Sequence, residues 1–172
     1  DSQDPIGTIT LEIAKQFRFS PDVIVSSGGG DNMMAAIGTG NVFPGAVTTS
    51  LGTSGTIYSC ADKPIIDQKG ELAAFCSSSG HWLPLVCTMN VTVSTELTRT
   101  LLGLNIEDMN QKAASAPLGS EGLTLLPYFN GERTPALPNA KAVLYGITGV
   151  NYNSENLCRA AMEGATLGLR YG

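Results

Sequence analysis

A single carboxylate behind three glycines is the feature of this sequence best suited to chemistry. Gly28-Gly29-Gly30 follow a short apolar segment that predicts a strand, and Asp31 comes directly after them. Glycines allow a positive φ and let a ligand approach without clashing against Cβ atoms. An aspartate at the start of a helix accepts backbone N–H bonds, and the helix dipole stabilises its charged form. Asp31 is therefore either an ionised carboxylate aimed at a ligand or an ordinary helix cap after a glycine-rich turn.

A second glycine-rich turn lies between two segments that read as strands. Gly52-Thr53-Ser54-Gly55 places two hydroxyl side chains between glycines. Such a turn exposes backbone N–H groups and hydroxyls that suit a phosphate, and a plain β-turn is the alternative. The segment differs from the G-x-S-x-G elbow of hydrolases, because Gly55 follows Ser54 directly and a strand comes next. The GxxxxGKS/T and GxGxxG nucleotide motifs do not occur in the chain.

The only histidine, His81, is the one residue that could complete a serine-hydrolase triad with Ser54. It lies beside Trp82 at the predicted edge of a strand, and nothing in the sequence links it to Ser54. A structural histidine is the favoured interpretation.

A third unusual segment is the loop Asn130-Gly131-Glu132-Arg133-Thr134-Pro135. Its Glu-Arg pair fits a solvated turn. It also fits a bidentate ion pair that braces irregular backbone beside a cleft. We favour a structural role for the loop.

Periodicity and turn residues predict an α/β organisation that positions these segments. Predicted helices span 6–17, 31–38, 91–102, 106–114 and 154–170. Predicted strands span 22–26, 46–51, 56–60, 72–76, 82–86, 123–127 and 143–147. The strands between 46 and 86 resemble an antiparallel meander, and the connector 41–45 is a candidate domain boundary.

Composition excludes several classes of function. The 172 residues carry a formal net charge of −5 and no cluster of Lys and Arg, so we expect no nucleic-acid partner. No apolar run is long enough for a membrane span. The four cysteines are widely spaced, which favours reduced thiols over a metal site or a disulfide framework. The chain opens just before one predicted helix and closes at the end of another, so we expect a fragment.

In order and spacing, these segments together resemble the FGGY carbohydrate kinases. The residues that carry the resemblance are Gly28-Gly29-Gly30-Asp31-Asn32, Pro44-Gly45, Ser50-Leu51-Gly52-Thr53-Ser54-Gly55, Leu126–Pro135 and Ala160-Ala161-Met162-Glu163-Gly164. The resemblance implies an actin-like ATPase (RNase H-like) fold, in which two domains flank a cleft. Residues 1–45 then match the end of the first, sugar-side domain. Residues 46–172 match the opening and middle part of the second, nucleotide-side domain.

The resemblance also implies roles for individual residues. Asp31 matches the catalytic aspartate that faces the terminal hydroxyl of the sugar. Asn32 matches a sugar contact, and Gly30 is included in the substrate site. Gly52, Thr53 and Ser54 match the turn that holds the terminal phosphates of the nucleotide. No residue of the chain is assigned to a metal, and Glu132 and Arg133 are assigned a structural role.

The activity implied is ATP- and Mg²⁺-dependent phosphorylation of a ketose, D-xylulose first among the candidates. Ribulose, glycerol or gluconate as substrate and a non-catalytic relative remain open. The resemblance lacks the family's first phosphate loop and its adenosine loop, so we expect the chain alone to be inactive. For the full-length enzyme it implies a cytoplasmic homodimer whose partners are the sugar and ATP.

Overall fold

The chain mixes helices and strands, as the sequence pattern predicts, and they alternate only in its first part. The computed structural model describes all residues, 1–172. The strands are β1 (Pro5–Thr8), β2 (Ile24–Ser26), β3 (Val47–Leu51), β4 (Gly55–Ser59), β5 (Leu72–Cys76), β6 (Trp82–Thr88), β7 (Thr124–Leu126) and β8 (Val143–Tyr145). The helices are α1 (Leu11–Phe17), α2 (Asp31–Gly38), α3 (Thr92–Leu101), α4 (Ile106–Ser115) and α5 (Ser154–Tyr171), with a 3-10 turn at Ser120–Gly122.

The first predicted helix is shorter than expected, because its opening residues form a strand. β1 pairs antiparallel with β2. Pro5 and the β-branched Ile6 and Thr8 favour extended backbone. Thr10 then starts α1, since its Oγ1 accepts a hydrogen bond from the N–H of Ile13 at 3.3 Å. The prediction of a helix from Ile6 was wrong, because the spacing of Ile6, Ile9 and Ile13 matches a helix although residues 5–8 form β1.

The second group of strands forms one antiparallel sheet whose order is β3-β4-β6-β5. A meander would place β5 beside β4, so that prediction was wrong. β6 takes the central position between β4 and β5. Its Leu83, Leu85 and Val86 are all at least 95% buried, and an apolar strand of this kind gains most from neighbours on both sides.

Helix α2 packs on this sheet and so attaches the first forty residues to the rest. Ala36 forms a buried cluster with Tyr58, Leu83 and Leu85. Just beyond the helix, the buried Asn41 side chain donates to the carbonyl of Tyr58 at 3.0 Å and accepts from the N–H of Cys60 at 3.0 Å. These contacts fix the second half of α2 and the residues after it relative to β4.

The larger core lies between α4, α5 and the β7–β8 pair. Its buried members are Met109, Ala113, Leu123, Leu125, Cys158, Ala160 and Ala161. A smaller cluster of Val91, Ala165 and Leu169 joins α5 to the start of α3. Helix α5 therefore supports both the small β7–β8 sheet and the loop that leads into α3.

The first layer of the chain leaves much of its apolar surface uncovered. Ile6, Leu11, Phe17 and Ile24 are each more than half exposed. They belong to β1, α1 and β2, which bury only Ala14 among them. A two-stranded sheet with one helix is too small to enclose these side chains.

All four cysteines are free, and Cys60 and Cys158 are buried. Burial raises the pKa of both buried thiols, which favours their unreactive protonated form. None of the helices combines the length and apolar character that a membrane crossing needs.

An ion pair between α4 and α5 gives a testable pH dependence. Lys112 Nζ donates to Glu155 Oε1 at 2.7 Å and to Ser154 Oγ at 2.9 Å. The hydrogen bond from Lys112 lowers the pKa of Glu155 from 4.5 to about 2. A carboxyl pKa that is lower in the folded state stabilises the fold above the unfolded pKa, and this stabilisation is lost as pH falls from about 4.5 to 2. We expect Glu155→Gln to lower the melting temperature at pH 6 and to have progressively less effect towards pH 2.5.

Thermal unfolding followed by circular dichroism across this pH range measures the effect. Asp22→Asn is the control, because the exposed Asp22 side chain has no ion pair. A difference between Glu155→Gln and the unaltered chain that stays constant from pH 6 to pH 2.5 would contradict the assignment.

Candidate active site

Asp31 is the first residue of α2, at the point where the chain turns from β2 into the helix. Gly30 precedes it as the N-cap in extended conformation, and Gly28 has a φ of +68°, which favours glycine. Asp31 Oδ1 accepts a hydrogen bond from the N–H of Asn32 at 2.8 Å. This is the only hydrogen bond to the exposed carboxylate. Its second oxygen, Oδ2, is therefore free to accept a hydrogen bond from a ligand.

A cavity of about 540 Å³ opens beside Asp31. Its lining combines residues before and within α2 with the turn after β5: Ser2, Gly29, Gly30, Asp31, Asn32, Met33, Phe75, Cys76, Ser77 and Ser78. The two walls approach closely, since a Cβ on Gly29 would lie 2.5 Å from Ser78 Oγ. The predicted substrate residues Gly30, Asp31 and Asn32 thus lie together on one wall.

The opposite wall was missed from the sequence. No role was predicted for Ser77-Ser78-Ser79, which follow β5 and precede Gly80. Ser77 and Ser78 both line the cavity, and the buried Ser77 has its Oγ 2.8 Å from Ser79 Oγ. These serines are far from Asp31 in the sequence, and only the fold brings them to the same cavity.

Asn32 connects the cavity to the second glycine-rich turn. Its Oδ1 accepts a hydrogen bond from Thr56 Oγ1 at 3.5 Å, the long limit for such a bond. Thr56 lies on β4, two residues after Ser54. The turn residues do not line the cavity themselves, but they begin about 7 Å along β4 from this contact.

Gly52, Thr53 and Ser54 form the tip of the β3–β4 hairpin, as predicted. Leu51 pairs with Gly55, and the N–H of Gly52 donates to the carbonyl of Ser54 at 3.0 Å. Thr53 and Ser54 are exposed, and neither their N–H groups nor their hydroxyls donate within the chain. The tip therefore presents a group of uncommitted donors, which is the chemistry that a phosphate requires.

The start of α3 holds this tip in place. The N–H of Val91 donates to the carbonyl of Thr53 at 3.1 Å, and the N–H of Thr92 donates to the carbonyl of Gly52 at 3.0 Å. Both carbonyls are thereby turned inward, so the donors of the tip face outward. Behind the tip, a Cβ on Gly55 would lie 2.5 Å from Val91 Cγ2, which leaves no room for a side chain.

A Glu132–Arg133 ion pair, one of the two interpretations left open for this loop, does not form. Glu132 is 3% exposed and accepts hydrogen bonds from the N–H groups of Met89 and Arg133 and from Asn90 Nδ2. Arg133 is exposed, and its Nη1 lies 3.1 Å from Cys87 Sγ. The ion pair is absent because the N–H groups of Met89 and Arg133 and the side-chain amide of Asn90 already satisfy the carboxylate. The structural role of Glu132 nevertheless agrees with the buried position.

Comparison with known proteins identifies the segment. No family model matches the chain. The xylulose kinase of Haemophilus influenzae is 54% identical over 171 residues, which is 99% of this chain and 35% of that protein. The solved structure of ligand-bound xylulose kinase from Lactobacillus acidophilus superposes with a TM-score of 0.92 at 27% identity, covering 98% of this chain and 35% of that one. Over almost its whole length, the chain is similar to one segment of FGGY-type xylulose kinases. It has the actin-like fold of these sugar kinases over part of their domains.

The FGGY kinases that resemble the chain are not all xylulose kinases. The gluconokinase of Bacillus subtilis is 30% identical over 171 residues, or 92% of this chain and 33% of that protein. The chain spans about a third of the length of each of these relatives. These relatives share the kinase class and differ in the sugar named.

The hydrolase alternative is inconsistent with the topology. His81 precedes β6, whereas Ser54 lies beside the far end of that strand, where Thr88 pairs with Gly55. The six-residue separation along β6 corresponds to about 20 Å. His81 Nδ1 instead lies 3.4 Å from Asp62 Oδ1, so the histidine has a structural partner.

No group of three or more His, Cys, Asp or Glu side chains in the chain forms a metal site. Mg²⁺ requires few protein ligands when phosphate oxygens supply the others. The exposed N–H and hydroxyl donors of Thr53 and Ser54 suit the phosphates of a nucleotide, which would carry its own Mg²⁺ to the site.

Proposed function

We propose that this chain is part of a kinase that transfers phosphate from ATP to the terminal hydroxyl of D-xylulose, giving D-xylulose 5-phosphate. The observation that carries the proposal is the Asp31 carboxylate, which keeps one oxygen free at the wall of a cavity large enough for a pentose. The similarity to xylulose kinases supports the same reaction.

In this proposal Asp31 acts as the general base. A sugar hydroxyl is too weak an acid for an aspartate to deprotonate it outright, so Asp31 orients the hydroxyl towards the γ-phosphorus and takes the proton late. Asn32 and the backbone of Gly30 hold neighbouring hydroxyls of the sugar. The single bond from the N–H of Asn32 fixes Oδ1 and leaves Oδ2 for this task.

The hairpin tip Gly52-Thr53-Ser54 is proposed to hold the terminal phosphates of ATP. Its N–H groups and hydroxyls donate to phosphate oxygens and stabilise the charge that spreads over them during transfer. Mg²⁺ bound to the nucleotide would neutralise part of the same charge. The resemblance gives no counterpart of the family's adenosine loop in these residues, so the base is proposed to be held by another part of a longer protein.

The division into a sugar-side segment, 1–45, and a nucleotide-side segment, 46–172, stays a proposal. Two observations support this division. Residues before 45 form their own small sheet, and α2 is their main contact with the second sheet. The exposed apolar side chains of β1, α1 and β2 need further protein to cover them. We therefore propose that the chain works within a longer protein, and that alone it shows no sugar-dependent ATP turnover. A cytoplasmic homodimer is proposed for that longer protein.

A panel of acceptors tests the substrate. The complete gene product that contains this sequence is incubated with ATP, Mg²⁺ and either D-xylulose, D-ribulose, D-gluconate or glycerol, and ADP release is followed. We expect the largest kcat/KM for D-xylulose. A preference for gluconate would support kinase activity and contradict D-xylulose as the substrate. The absence of acceptor-dependent ADP release would contradict kinase activity itself.

A further inference from the structure

Glu132 is the most buried carboxylate of the chain, and no cation pairs with it. It is 3% exposed and takes part in none of the ion pairs. Its Oε1 accepts from the N–H of Met89 at 2.6 Å and from its neighbour Arg133 at 2.8 Å, and its Oε2 accepts from Asn90 Nδ2 at 3.0 Å. A buried charge is costly unless such donors satisfy it. The three donors are therefore what makes a buried carboxylate at this position energetically acceptable.

The donors belong to the short segment between β6 and α3. Met89 and Asn90 follow the last residue of β6 and precede the helix, where no regular hydrogen bonds are available. Asn90 is 1% exposed, and its Nδ2 also donates to the carbonyl of Gly131 at 2.8 Å. Glu132 and Gly131 therefore fix both the backbone and the side chain of this segment.

The same segment holds the hairpin tip. Directly after Asn90, the N–H groups of Val91 and Thr92 donate to the carbonyls of Thr53 and Gly52. Residues 89–92 are thus hydrogen-bonded to the Glu132 carboxylate at one end and to the tip at the other. Rotation of residues 89–92 would change the direction in which the free donors of Thr53 and Ser54 point.

We propose that Glu132 is a positioning residue for the phosphate-binding tip Gly52–Ser54. The inference rests on the proposed function, since it assigns the tip to ATP phosphates. Glu132 touches neither substrate and acts through Met89 and Asn90. Its loss therefore weakens ATP binding and leaves the sugar site, built around Asp31, unchanged.

Substitution of Glu132 by glutamine and by alanine distinguishes positioning of the tip from a role in packing alone. In Glu132→Gln the amide oxygen retains the bonds from Met89 and Arg133, but the NH₂ group faces Asn90 Nδ2, donor against donor. Glu132→Ala loses all three bonds. Glu163→Ala is the control, because Glu163 also accepts from a backbone N–H, that of Gly119 at 3.1 Å, beside its ion pair with Arg159, and makes no hydrogen bond to residues 89–92.

Hydrogen exchange on the 172-residue chain tests the bracing without any assay of activity. We expect Glu132→Ala to accelerate exchange of the Val91 and Thr92 amides by about tenfold or more, with Glu132→Gln intermediate. Glu163→Ala leaves these two amides unchanged. Equal protection of Val91 and Thr92 in all three variants would overturn the proposal.

The kinetic consequence is measured in a chimaera in which this sequence replaces the matching segment of the Haemophilus influenzae xylulose kinase. There Glu132→Gln should raise the KM for ATP several-fold, and Glu132→Ala should raise the KM for ATP further. The KM for D-xylulose should stay unchanged in both variants. An unchanged KM for ATP, or an equal rise for both substrates, would overturn the positioning role. An inactive unaltered chimaera would count against the proposed function, while the exchange experiment still decides whether Glu132 braces the tip.

Discussion

In the chimaera, Asp31→Asn is expected to lower kcat with D-xylulose by about 10²- to 10⁴-fold, the range that general acid–base groups contribute. Asparagine keeps the size of the side chain and can still accept the Asn32 N–H bond through its amide oxygen. It removes the free carboxylate oxygen that would accept the proton of the sugar hydroxyl. The affinity for ATP should not change, because the hairpin tip lies on a different element.

Steady-state ADP release and calorimetric titration with ATP measure the two quantities on the same preparation. Asp22→Asn is the matched control, because this exposed aspartate lies in the same first segment and outside the cavity. If Asp31→Asn turned over D-xylulose at a near-normal rate, Asp31 would not be the base.

The second large effect is expected on stability rather than catalysis. Gly164→Ala should destabilise the chain by about 2 kcal/mol, since overfilling a packed contact costs about 1–3 kcal/mol or more. A Cβ at Gly164 would lie 2.1 Å from the backbone carbonyl oxygen of Leu125 on β7. A backbone group cannot swing aside like a flexible side chain, so α5 and β7 would have to separate. This separation would open the core that contains Cys158 and Leu123.

Gly168 provides a control within the same helix. A Cβ at Gly168 meets no atom within 4 Å, so Gly168→Ala should stabilise the chain by about 0.5–1 kcal/mol through helix propensity alone. Urea unfolding of both variants gives the free energies of unfolding. Opposite signs support the close packing of α5 on β7, and equal stabilisation by both substitutions would contradict it.

The parts of the site that depend on local sequence could be predicted from it. Asp31 lies at the start of α2 because the preceding glycines can make the turn and the following small residues favour a helix. The hairpin tip at Gly52–Ser54 is likewise a local consequence of glycines between two β-branched segments. The order of these turns along the chain was also enough to indicate the kinase type.

The remaining features depend on contacts between distant residues. The position of β6 between β4 and β5 follows from how much apolar surface each strand buries, and periodicity does not rank strands in that way. Glu132 and Arg133 are adjacent and opposite in charge, so an ion pair and a solvated turn both stayed open. Two of the three donors to Glu132 lie 42 and 43 positions earlier in the sequence, and only the folded loop brings them within reach.

The most direct test of the whole account is D-xylulose-dependent ADP release by the unaltered chimaera. We expect ADP to appear only when both ATP and D-xylulose are present, and we expect Asp31→Asn to abolish this dependence while ATP still binds. A folded chimaera that binds ATP and releases no ADP on addition of D-xylulose would contradict it.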